Sequence, residues 1–170
     1  MKKTLLLITL LLICPSFGPC SGQAIDTIEP DPPGTIDGSK NPELIPDNIA
    51  YELFYRTICN NPNGWDLETR KASLKNTQLS DPQVEILIHY SNIFANKMAN
   101  LDQKSQEIRE RHELGSIEAN NQLREIHQQR IQLVESTTAA LSKALLPRGA
   151  RLFEEYVMHE VKRKIKMLPD

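Results

Sequence analysis

The chain has 170 residues, of which 39% are hydrophobic, 5% aromatic and 25% charged, a length that fits one domain of ordinary size. Its 20 basic and 22 acidic residues give a net charge of -2, a balance that offers nucleic acid no electrostatic footprint. No run reaches the ~18 apolar residues that a membrane-spanning helix needs.

Residues 1–24 read as an export signal. Lys2 and Lys3 open it, Thr4 to Ile13 is an apolar run of suitable length, and Cys14-Pro15 breaks that run. Gly22 and Ala24 are the small residues that signal peptidase needs before a cut after Ala24. The expected destination is periplasmic or secreted. The alternative is lipid anchoring in the envelope at Cys20, where Phe17-Gly18-Pro19-Cys20 is a loose lipobox. Cleavage after Ala24 removes Cys14 and Cys20, leaves 18 basic against 22 acidic residues, and makes Cys59 the one thiol. A single thiol cannot close a loop within the chain. Cys59 is expected to be a small buried apolar residue on a helix face, with an intermolecular disulfide as the alternative.

Residues 25–46 hold Pro30, Pro32, Pro33, Pro42 and Pro46 with Gly34 and Gly38, and their apolar residues show no period. They are expected to be an extended, mobile tether. A helical domain follows over 47–170. Asp47 is a good N-cap after Pro46, and Ile49, Ala50, Leu53, Phe54, Thr57 and Ile58 recur at helical spacing. Asn60-Asn61-Pro62-Asn63-Gly64 stops that helix. The segment 65–78 has the least pattern; a short helix is expected around 66–75, with Trp65 and Leu67 packing it onto the body.

The next helix announces its own start. Ser80 with Gln83 three residues later forms a capping box, and Leu79 with Val84 forms a hydrophobic staple. Val84, Leu87, Ser91, Phe94, Met98, Leu101, Ser105 and Ile108 then alternate by three and four, a heptad seam. Ile86, Tyr90 and Ile93 add a second stripe. From Asp81 to Glu113 the helix has 33 residues, or about 50 Å at 1.5 Å per residue. After Gly115-Ser116 a second seam runs through Ala119, Leu123, Ile126, Arg130, Leu133, Thr137, Ala140 and Ala144. Two long helices joined by so short a turn must be antiparallel. Pro147 marks a corner and suits the first turn of a last helix, whose stripe is Ala150, Phe153, Val157, Val161, Ile165 and Leu168. Lys162, Arg163, Lys164 and Lys166 crowd its end, where cations favour the helix dipole. The fold class is therefore all-α: a long antiparallel helical hairpin with a shorter N-terminal and a C-terminal helix packed on it, and no sheet.

The residues give no support to an enzyme. None of His89, His112, His127 and His159 lies three or four positions from another, so no zinc-ligand spacing appears on a helix face. His112, His127 and Glu113 near the Gly115 turn read as hydrophilic helix positions. There is no Gly-x-Ser-x-Gly elbow, and glycine is too scarce for a phosphate-cradling loop. No catalytic residue, metal or cofactor is expected.

Leu79-Ser80-Asp81-Pro82-Gln83 resembles the Leu-Thr-x-x-Gln motif of the Spy/CpxP family of exported bacterial helical proteins, with Ser80 in place of Thr. The family's second copy would fall at Leu145-Leu146-Pro147-Arg148-Gly149, which lacks both the hydroxyl and the Gln. The tail from Leu145 onwards also resembles that of uncharacterised exported bacterial proteins, which implies no function. The Spy/CpxP resemblance implies a long helical hairpin that holds unfolded clients without ATP. Ile86, Ile88, Tyr90, Ile93 and Ile131 lie off the main seams and are the candidate client-binding surface. The other reading is a structural spacer or homodimer that docks to a second envelope component.

Overall fold

The computed structural model describes residues 34–59, 66–112 and 116–168. The expected signal peptide with Cys14 and Cys20, residues 25–33 of the expected tether, the packing expected of Trp65, and the Gly115 turn with Glu113 lie outside the described residues. The elements in chain order are β1 (Ile36–Asp37), α1 (Asp47–Cys59), α2 (Leu67–Ser73), α3 (Asp81–Arg111), α4 (Ile117–Tyr156) and β2 (Lys166–Met167). The fold is all-α, with almost no strand. No described helix is long and apolar enough to cross a membrane.

Helix α1 begins one residue earlier than an Asp47 cap would put it: the Pro46 carbonyl accepts the Ala50 N–H at 3.4 Å, and the Asp47 carboxylate bonds Lys162 at 2.6 Å. The Asn60–Gly64 stop lies outside the described residues. Helix α2 starts at the cap supplied by Asp66, whose carboxylate accepts the Thr69 N–H at 2.7 Å. Helices α3 and α4 form the hairpin. Gln83 meets Leu145 at one end and Asp102 meets Arg130 further along, so the two run antiparallel. Helix α4 is broken at Leu146, where φ is 60° and ψ is 167°. Pro147 then opens a second arm, and the expected corner is where the proline puts it.

The core sits at the base of the hairpin, where α1 and the second arm of α4 close over it. Phe54, Tyr55, Phe94 and Phe153 are buried together. Ring centroids stand 4.9 Å apart for Tyr55–Phe94 and 5.1 Å for Phe54–Phe153, within the range at which aromatic pairs attract. The buried Tyr55 hydroxyl is satisfied by the Thr138 hydroxyl at 3.0 Å. The two serines of the α3 seam differ: Ser105 accepts a bond from Arg130 at 3.1 Å, whereas the buried Ser91 hydroxyl has no partner among the described residues.

Three expectations need correction. There is a small ribbon: β1 pairs antiparallel with β2, Ile36 opposite Met167 and Asp37 opposite Lys166. Residues 34–46 are not a mobile tether, because this ribbon, a 3-10 turn at Pro42–Leu44 and the buried Ile45 dock them on the domain. The Gly38 N–H donates to the Ile165 carbonyl at 2.9 Å, and a Cβ on Gly38 would collide with the Lys162 carbonyl. Glycine is needed there for close approach. Lastly, the final helix does not continue to Lys166. It widens into a π-helical turn over Val157–Val161 and tightens into a 3-10 turn over Lys162–Lys164. That change of pitch lets Val157 and Ile165 both reach the interior, and Lys162 pairs with Asp47 at 2.6 Å.

Candidate functional site

The hairpin has two sides with different fates. On one side α1 lies across it, and a cleft remains between Asp47 and Tyr51 of α1 and Ile131, Val134 and Thr138 of α4. Desolvation, followed by the nearby Glu154 and Asp47, pushes the Tyr51 phenol up to about 12. Burial raises Tyr55 further still. The opposite side carries a shallow cleft walled by Lys97 and Leu101 of α3 and Gln129, Leu133 and Ser136 of α4, with no wall from any other described element.

The five residues expected to hold clients divide accordingly. Ile88 is in the core at 4% exposure, which removes it from any surface. Glu85 and Asn92, on either side of it along the same face, bond Lys71 and Arg70 of α2 at 2.9 Å each. Helix α2 therefore bridges over Ile88, held by these polar contacts and not by Leu67, the expected packing contact, which is 48% exposed. Ile131 is half-buried in the cleft beneath α1. Ile86 and Tyr90 are half-buried against the core, and Ile93 is 38% exposed. Ile86, Tyr90, Ile93 and Lys97 follow at spacings of four, three and four, so they share a stripe. Since Lys97 walls the open cleft, three of the five nominated residues belong to the uncovered side.

Beyond the base the hairpin continues as a two-helix arm. Past Leu101 on α3, and before Leu133 on α4, no residue joins the main core. Ser105, Ala119 and Ile126 are buried there only between the two helices. Asp102 fixes the root of the arm. It takes a bidentate pair from Arg56 of α1 at 3.0 and 3.2 Å, and a third bond from Arg130 at 2.7 Å. This explains a charged residue in the second seam, and Asp102 raises the Arg56 pKa through those bonds. From Asp102 to Arg111, the last residue of α3, the arm projects about 14 Å at 1.5 Å per residue. Its outer faces are mostly Asn, Gln, Glu, Lys and Arg.

The helix-start motif does more than start a helix. The Ser80 N–H donates to Gln83 Oε1 at 3.1 Å, as a capping box requires. The other end of the same amide, Gln83 Nε2, donates to the Leu145 carbonyl at 3.0 Å. That carbonyl is freed because α4 breaks at the next residue, Leu146, which leaves the last carbonyls of the segment before it without helical donors. Gln83 thus clasps the start of α3 to the break in α4. The clasp sits against Gly149, where a Cβ would collide with Gln83 Nε2.

No family model, curated protein or solved structure matches this chain. Among the described residues no three of His, Cys, Asp and Glu converge as metal ligands. His112 lies at the C-terminal cap of α3, while His127 is exposed. Cys59 is half-exposed and not buried as expected, because it lies at the end of α1 beside polar Asn92, to whose Oδ1 its Sγ donates at 3.6 Å. Burial pushes its thiol pKa up, opposed by Arg70, so it is held in the less reactive protonated form.

Proposed function

We propose that this is an exported, non-enzymatic helical protein that docks a folded envelope partner along the uncovered side of its hairpin, as a structural spacer. The supporting observation is the division of the hairpin surface. One side is crossed by α1 and α2, which leave the cleft beside Tyr51, whereas Ile93, Leu101 and Leu133 lie on the other with no described element over them. A holdase needs broad exposed apolar surface, and the exposed large hydrophobics on the described residues (Leu44, Leu53, Leu67, Ile93, Ile117, Leu146 and Leu168) come from different elements. Docking a structured partner demands less apolar area, and the polar arm beyond Asp102 suits a spacer.

Photo-crosslinking from Ile93 and Leu133 in intact cells tests this reading. A discrete adduct from both positions, and none from exposed Thr69 on α2, is expected. A second reading, client holding in the manner of the Spy/CpxP family, draws on the Leu79, Ser80 and Gln83 resemblance and on the stripe of Ile86, Tyr90 and Ile93. Suppression of client aggregation near equimolar ratio without nucleotide, together with diffuse adducts from many positions, would favour holding over docking.

A further inference from the structure

The joint at Leu146 is strained in the wild-type chain. Its φ of 60° with ψ of 167° falls in a region that essentially only glycine occupies. The side chain is 67% exposed, so it gains no burial in return. Pro147 sharpens the conflict, because a residue before proline prefers an extended conformation with negative φ. Such a conformation persists only where the surroundings impose it. Here the second arm of α4 imposes it by folding back onto its own base. Phe153, Val157 and Ile165 enter the core, Lys162 pairs with Asp47, and β2 joins β1. None of these contacts depends on the arm and the base belonging to one chain.

We propose that Leu146 is a swap hinge, and that two copies form a dimer in which residues 147–168 of each dock on the base of the other. Opening lets Leu146 relax to the extended conformation that Pro147 favours, while every arm–base contact is rebuilt on the partner copy. Short connections under strain favour this exchange, and identical elements make it a low-cost route to a dimer. The inference stands on the joint alone and is independent of what the open side of the hairpin docks.

The test refolds the full chain from denaturant at low and high protein concentration and reads mass by light scattering after size-exclusion chromatography. A dimer fraction that grows with concentration during refolding, and persists on later dilution, is expected. Leu146→Gly takes the same backbone angles without strain, so it should cut that fraction several-fold and raise the melting temperature of the monomer. A chain that is monomeric at every concentration overturns the proposal. So does a dimer undiminished by Leu146→Gly, which would arise through another surface, or a Leu146→Gly monomer that melts lower than wild type.

Discussion

If Gln83 is the clasp between α3 and the break in α4, the effect of a methyl at Gly149 must reverse sign when Gln83 is removed. Gln83→Ala turns the exposed Ser80 hydroxyl, which donates to Gln83 Oε1 at 3.0 Å, over to water, and it deletes the bonds to the Ser80 N–H and to the Leu145 carbonyl at 3.1 and 3.0 Å. Each is worth about 0.5–1.5 kcal/mol net, so the loss should be about 1–3 kcal/mol. For a chain of this size 2 kcal/mol corresponds to about 4–8 °C in Tm. Gly149→Ala in the wild-type background places its Cβ inside contact distance of Gln83 Nε2. The amide must leave and both bonds go with it, while alanine returns up to about 1 kcal/mol of helix propensity. The net expected cost is about 0–2 kcal/mol.

In the Gln83→Ala background the obstacle is gone, and the nearest remaining atom to the new methyl is Leu145 Cβ at 3.3 Å. That neighbour has only to give by a few tenths of an ångström, so Gly149→Ala should then stabilise by up to about 1 kcal/mol. The coupling between the sites is therefore about 1–3 kcal/mol, well above the scatter of independent sites. Urea unfolding followed by circular dichroism, with unchanged m values, measures all four corners of the cycle. A Gly149→Ala effect equal in both backgrounds would refute the clasp.

Four further outcomes are expected. Gly38→Ala should detach β1 from β2, because a backbone carbonyl cannot retreat as a side chain can; overpacking of this kind costs about 1–3 kcal/mol, and faster hydrogen exchange at the Gly38 N–H is the readout. Asp102→Asn should loosen the arm and not the base: its partly exposed ion pairs are worth roughly 1–2 kcal/mol together, read as faster exchange over 103–111 and 117–129 with the aromatic core unchanged. Phe94→Ala, fully buried between α1 and the hairpin, should cost roughly 3–5 kcal/mol in urea unfolding. Stability should also fall at alkaline pH. The folded state keeps the Tyr51 proton up to about 12 and the Tyr55 proton higher still, whereas an unfolded tyrosine releases it near ~10. That stability is whole below ~10 and is lost as pH rises towards the folded values, so urea midpoints should drop across that interval.

The helical framework was legible because its signals are local. Asp66, Ser80 and Pro147 each act within a turn of themselves, and the Phe94 seam repeats along one helix. What could not be read depends on distant pairing. Ile88 looks like an off-seam residue until α2, a segment with little pattern of its own, is placed across Glu85 and Asn92. Residues 34–46 lack any period because each anchor is a single contact: Ile36 to Met167, Gly38 to Ile165, Ile45 to the core. A proline-rich stretch held by isolated long-range contacts reads the same as one held by none. The open stripe of Ile86, Tyr90 and Ile93 was legible as a stripe, while its lack of cover depends on where α1 comes to lie.

Gln83 also bears on how much the resemblance of its motif can carry. A leucine, a hydroxyl residue and a glutamine at these spacings suffice to staple and cap a helix start. Here the glutamine gains a second reason, because its amide is the one group that reaches both the Ser80 N–H and the carbonyl stranded before Pro147. The identity of residue 83 is therefore explained by the hairpin's construction, and no client need be invoked for it. Any evidence for client holding must come from the stripe on the open side, where packing places no demand on Ile93 that a polar side chain could not meet. Ile93→Lys should leave folding intact for that reason, with a stability change within about 0.5 kcal/mol. A loss of partner or client contact in that variant, with an unchanged urea midpoint, would assign the open side to binding and leave the Leu79–Ser80–Gln83 motif to the fold.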